Sequence, residues 1–129
     1  MIKDIYEFNH KVLGIYQDTY DGPHKLPDSE ELWLTRALLE EIVEFSQAQD
    51  VVGKVDALLD LTYFAIGGLA RMGVTREQAE ACFTSIHNAN MRKVFGVKET
   101  RTQDGDVADA VKGEDFEAPE DQMRKILGE

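Results

Sequence analysis

Apolar residues between positions 2 and 17 recur at helical spacing: Ile2, Ile5, Tyr6, Val12, Leu13 and Tyr16 fall on neighbouring turns and predict a first helix. The segment YDGPHKLP, with one glycine and two prolines, stops it. A second helix is expected from Asp28 to about Asp50, because Asp28 followed three places later by Glu31 has the arrangement of a capping box. Gly53 punctuates the next turn, and a third helix is expected from about Lys54 to Met72, closed by Gly73. Thr75 and Gln78 repeat the capping-box signal for a fourth helix reaching about Val94. No strand-like alternation competes before residue 97. Short connections make successive helices antiparallel neighbours. The expected fold class is therefore all-α: an antiparallel four-helix bundle-type unit with an irregular C-terminal arm, completed by oligomerisation because a chain of 129 residues carries only a modest core.

The helical pattern fills residues 1–96. From Val97 onward the chain has ten acids, five bases, a QDGD turn and few large apolar residues, so residues 97–129 are expected to form an arm or lid of the same domain. PEDQMRKIL within it suits one short helix, and an acidic tail without fixed structure is the alternative.

Charge narrows the partners. A net charge of −11 disfavours nucleic acid and anionic membranes, and a polyanionic ligand would need a bridging cation. No stretch approaches the roughly 20 apolar residues of a membrane span, and MIKDIYEFNH lacks a signal core. With Cys82 as the only cysteine, placed in an apolar helical pattern, a cytoplasmic protein with a small core residue there is expected.

Acids interrupt the apolar helices in a particular way. In LLEEIVEF, Glu40, Glu41 and Glu44 lie within an arc of about 100° on the second helix, shared with Trp33, Ala37 and Ala48. Leucines, Ile42, Val43 and Phe45 cover most of the rest, which leaves little of that helix for water. From Val55 to Ala70 the third helix carries only Asp56 and Asp60, one turn apart, with no lysine or arginine between. Arg36, one turn before Glu40, can pair with it but cannot neutralise five carboxylates. Two carboxylates about 5.5 Å apart repel by roughly 3 kcal/mol at an effective dielectric near 20. The acids therefore stay apart in water, take up protons, or hold divalent cations, and oxygen ligands without histidine or cysteine favour Mg²⁺, Mn²⁺ or Ca²⁺ over zinc. On the fourth helix, SIHNANMRKVFG places His87, Asn90 and Lys93 at intervals of three, with Arg92 beside them. These groups suit phosphate oxygens, although taken alone they read first as an ordinary basic helix end.

Together these residues resemble the MazG-like, all-α nucleotide pyrophosphohydrolase superfamily, which includes the phosphoribosyl-ATP pyrophosphohydrolases. The match is EExxE (Glu40, Glu41, Glu44) followed by an acidic pair on the next helix (DALLD, Asp56 to Asp60). The order DALLDLTYFAIGGLARMG, IHNANMRKV and a later DG turn resembles a bacterial and phage branch of it. The resemblance covers most of the chain. It implies a compact four-helix unit assembling as a homodimer or a dimer of dimers, which binds Mg²⁺, with Mn²⁺ as a substitute, and a nucleoside triphosphate. It also implies cleavage at the α–β phosphate bond to a nucleoside monophosphate and pyrophosphate. Glu40, Glu41, Glu44 and Asp60 then correspond to metal ligands, with Glu41 alternatively polarising the attacking water. Asn90 and Lys93, with Arg36 and His87, would contact substrate. One position departs: Ala57 stands where the second motif carries glutamate. Asp56 lies one place earlier, about 100° round the helix, and its role as ligand, outer acceptor or base stays open.

Two other readings compete. EFNH at residues 7–10 spells one Glu-x-x-His of a di-iron bundle, but such sites need the motif on two helices, and His24 and His87 follow Asp21 and Thr84 instead. A nucleotide-binding or helical interaction module without turnover would keep the same scaffold, and Ala57 is consistent with it. Trp33, Tyr63 and Phe64 are expected in the core, with pocket lining the alternative, and base and sugar specificity stay open.

Overall fold

The computed structural model describes residues 1–96, 98 and 109–129. Among them are five α-helices: α1 (Ile2–Lys11), α2 (Asp28–Gln47), α3 (Val51–Arg71), α4 (Arg76–Met91) and α5 (Glu120–Leu127). A 3-10 turn covers Gln17–Thr19, and two short strands, β1 (Val94–Gly96) and β2 (Asp109–Val111), complete the elements. The all-α class holds, and none of these helices is long and apolar enough to cross a membrane. The chain folds as two compact units, Met1–Ala79 and Glu80–Glu129.

In the first unit, α1 is shorter than the spacing predicts. Gly14, at φ 69, takes the left-handed conformation that closes a helix, and Ile15 N–H donates back to the Asn9 carbonyl at 2.9 Å. Val12, Leu13 and Tyr16 therefore lie beyond the helix and stay exposed. Ile5 and Tyr6 anchor α1 instead: both are buried, and the Tyr6 hydroxyl donates to the Val74 carbonyl at 2.7 Å.

Asp28 is the first residue of α2 rather than its cap. Pro27 holds the cap position with no side-chain bond, so Asp28, Glu30 and Glu31 act through the helix dipole. Gly53 is likewise not a turn. The Asp50 side chain accepts from Gly53 N–H at 2.8 Å, capping a helix that begins at Val51. Lys54 then donates to the Phe45 carbonyl at 2.9 Å, satisfying the end of α2. The three-residue link folds α3 back along α2, and Gly68 permits their close approach: a Cβ there would lie 2.7 Å from Leu34 Cδ2. Gly73 closes α3 at φ 71. The second capping box forms in full, Gln78 N–H donating to Thr75 Oγ1 at 3.1 Å and Thr75 N–H to Gln78 Oε1 at 3.0 Å.

The expectation that α2 and α3 are covered on nearly every side fails. Leu39, Ile42 and Val43 on α2, and Val55, Leu58 and Leu59 on α3, are each about half exposed. A single chain of this size supplies too few layers to wrap two long apolar helices.

In the second unit, Cys82 and Ala89 are buried, as expected for Cys82. β1 pairs antiparallel with β2, Val94 opposite Val111 and Gly96 opposite Asp109. The fourth helix thus stops at Met91, and strand begins before residue 97, contrary to the periodicity, because a partner distant in sequence supplies the ladder. The short helix read in PEDQMRKIL forms as α5. The QDGD turn lies outside the described residues.

Candidate functional site

The 20 residues of α2 carry Glu40, Glu41 and Glu44 on consecutive turns, and α3 carries Asp56 and Asp60. Packing separates the glutamates. Glu41 shares the stripe of Ala37, which α2 buries, and is itself 8 % exposed. Glu40 and Glu44 are exposed and line a shallow outer surface with Arg36, Leu39 and Val43. Asp56 and Asp60 are also exposed, so only one of the five acids pays the full cost of leaving water.

Glu41 is the electrostatic centre. Its Oε2 is buried without a hydrogen-bond partner. Burial, followed by the Glu44 charge, a side-chain hydrogen bond with Glu44, and the charges of Asp60 and Asp56, raises its pKa above the ordinary 4.5. The bond favours the protonated form, in which the Glu41 hydroxyl donates to the Glu44 carboxylate. Both acidic motifs therefore act on one carboxyl group.

Glu41 and Asp60 open into a cavity of about 410 Å³ lined by Phe8, Asn9, Trp33, Tyr63, Phe64 and Arg71, among others. Phe8 meets Tyr63 edge to face at 5.5 Å, and Trp33 meets Phe64 at 6.1 Å. Trp33, Tyr63 and Phe64, for which core packing is the expected role and pocket lining the alternative, line the pocket. Arg71 lies over the Trp33 ring at 4.5 Å and donates to Glu30 at 3.5 Å. Asn9 is buried, its amide donating to the Ile5 carbonyl at 2.8 Å.

Arg71 and Asn9 are absent from the residues singled out by sequence. The signal for Arg71 was present: it is the first cation after the uninterrupted span from Val55 to Ala70, on the stripe of Asp60. Asn9 was hidden inside EFNH. The iron reading of that motif loses ground, since Glu7 pairs with Lys11 at 3.1 Å and His10 packs on Tyr16 with centroids 4.1 Å apart.

His87, Asn90 and Lys93 belong to the second unit. His87 and Asn90 are exposed, and Lys93 lies over the Phe116 ring at 5.8 Å.

Whether these acids suit a divalent cation is answered by chemistry more than by placement. Among the described residues, no three His, Cys, Asp or Glu side chains are arranged to hold a metal ion. The donor set nonetheless fits a hard cation: four carboxylates, Glu41, Glu44, Asp56 and Asp60, share one field, and one buried oxygen lacks a partner.

Comparison with protein families matches residues 10–90, more than half of the chain, to phosphoribosyl-ATP pyrophosphohydrolase. Comparison with curated proteins and with solved structures found no match.

Proposed function

We propose, for a chain that belongs to the phosphoribosyl-ATP pyrophosphohydrolase family, hydrolysis of a nucleoside triphosphate at the α–β phosphate bond to a nucleoside monophosphate and pyrophosphate. A nucleotide pyrophosphohydrolase-type activity goes with the family; the triphosphate and the bond are our reading. The observation that carries it is Glu41, a buried carboxyl with a raised pKa and an oxygen without a partner among the described residues, lining an aromatic cavity. A carboxylate kept out of water at this cost elsewhere in a core would be replaced by an apolar residue.

Glu40, Glu41, Glu44 and Asp60, with Asp56 beside them, would hold Mg²⁺, or Mn²⁺ in its place. When bound, the cation neutralises the triphosphate and lowers the pKa of the attacking water. Where Glu41 is ionised and not itself a ligand, it would accept the proton of that water on Oε2. The water oxygen bonds to phosphorus as the bridging P–O bond between the α and β phosphates breaks. Arg36, on the surface shared by Glu40 and Glu44, offers a guanidinium for phosphate oxygens. The half-exposed apolar faces of α2 and α3 support assembly as a homodimer or a dimer of dimers.

The test is pyrophosphate release from a panel of nucleoside triphosphates with Mg²⁺. The wild type should release it, and Glu44→Gln should lose at least about 100-fold. A folded Glu44→Gln protein with undiminished turnover removes Glu44 from the mechanism. A second reading, a nucleotide binder without turnover, is favoured by Ala57, 1 % exposed where the family motif carries glutamate. Mg²⁺-dependent binding without any product over long incubation would decide for it.

A further inference from the structure

The cavity has a chemical direction. Asp60, Phe64, Gly67 and Arg71 follow at intervals of four, three and four along α3 and all line it. They form one stripe spanning about 16 Å of helix axis. On α2, Glu41 and Trp33 repeat the same direction about 12 Å apart. One end therefore presents carboxylates and the other a guanidinium, with flat aromatic walls between.

Arg71 is held at the cavity wall by a ring and a carboxylate. Its side chain is 22 % exposed, it stacks 4.5 Å over Trp33, and among the described residues its polar partner is Glu30, at a long 3.5 Å. A guanidinium has five N–H donors and accepts nothing. N–H donors of Arg71 left over from Glu30, at a wall of this cavity, would favour a ligand edge that carries acceptor oxygen, because an amino group placed there would leave donors facing donors.

We propose that Arg71 determines base specificity by donating to an exocyclic carbonyl at the far edge of the nucleobase. By bonding at the exocyclic group it selects uracil over cytosine and hypoxanthine over adenine, pairs that differ by carbonyl against amino at one ring position, with the adjoining ring nitrogen changing from N–H donor to acceptor. This inference rests on the nucleotide reading of the site: phosphates are drawn to the carboxylate end through a cation, the ring lies between the aromatic walls, and its distal edge meets Arg71. Selectivity then comes from the cationic end and turnover from the acidic end.

Trp33 is the only tryptophan in the chain and lines this cavity, so its fluorescence reports binding without turnover. Uridine, cytidine, inosine and adenosine 5′-monophosphates are titrated against the full chain, with pyrophosphate release from the four triphosphates measured in parallel. The carbonyl member of each pair should bind about 10- to 100-fold more tightly. Arg71→Gln should collapse that ratio to within about threefold, and Arg71→Lys, which keeps charge but loses the fork, should retain only part of it. Far-ultraviolet circular dichroism checks that both variants fold. Equal wild-type affinities, or a ratio that survives Arg71→Gln, would overturn the assignment. If triphosphates are split without base preference, the assignment fails and the hydrolase stands. If the binding ratio follows Arg71 but no triphosphate is split, the hydrolase reading fails and the assignment stands.

Discussion

Replacing Glu41 with glutamine should make the protein more stable while disabling it. Glu41 is 92 % removed from solvent, since 8 % remains exposed, and its Oε2 has no partner. An unsatisfied buried polar atom costs about 1–3 kcal/mol, more when charged. Glutamine keeps the shape and removes the charge that Glu44, Asp60 and Asp56 oppose, and its amide can donate to Glu44. A gain of about 1–2 kcal/mol follows, which for a domain of this size raises Tm by roughly 3–10 °C.

The gain depends on pH in a defined sense. Burial and the neighbouring carboxylates raise Glu41 above its ordinary 4.5, so between that value and its raised one the folded chain keeps a proton the unfolded chain has lost. Wild-type stability therefore falls as pH rises through that window and stays reduced above it, whereas the Glu41→Gln protein lacks this loss. The Tm difference between them should be small below pH 4.5 and open towards neutrality. Thermal melts with a chelator present, from pH 4 to 8, measure it. Pyrophosphate release by the variant should fall by at least about 100-fold, and added Mg²⁺ should stabilise the wild type far more than the variant. A variant that melts at or below the wild-type temperature at pH 8 would refute the claim that Glu41 is held at a cost.

Three further outcomes test the scaffold. Thr75→Ala should lower stability by about 1 kcal/mol in urea unfolding, because it removes half of the reciprocal cap on α4. Gly73→Ala should cost more than the roughly 1–2 kcal/mol of a left-handed residue, since its Cβ would also lie 2.7 Å from the Gly22 carbonyl oxygen; the urea midpoint should fall clearly. Ala57→Glu, which restores the family residue, should destabilise the chain by at least about 2 kcal/mol, because Ala57 is only 1 % exposed and a charge there has no room or partner. A melt unchanged by that substitution would mean the site accommodates the missing glutamate.

Where a structural decision rests on residues near in sequence, the chain announced it. Thr75 and Gln78 form the box their spacing promised, Gly73 ends α3, and α5 appears within PEDQMRKIL. Elsewhere the sequence misled, where one local signal overrode another or where the partner was distant. The apolar spacing of Val12, Leu13 and Tyr16 continued a helix that Gly14 had already turned, and β1 depended on a strand beginning at Asp109. Gly53 read as a turn although Asp50, three residues earlier, is a local cap signal for a helix that runs through it. The acidic site divides the same way. Spacing brought five acids to two helices, but the packing of those helices, with Leu34 against Gly68 as one close contact, is what leaves Glu41 buried and Asp60 acting on it. Helical periodicity gives angle around an axis and says nothing of how two axes slide past each other. The same packing sets Arg71 over Trp33 at the other end of the cavity. A side chain at Gly68 would meet Leu34 and push the two helices apart, a displacement expected to reach both ends of the cavity they line.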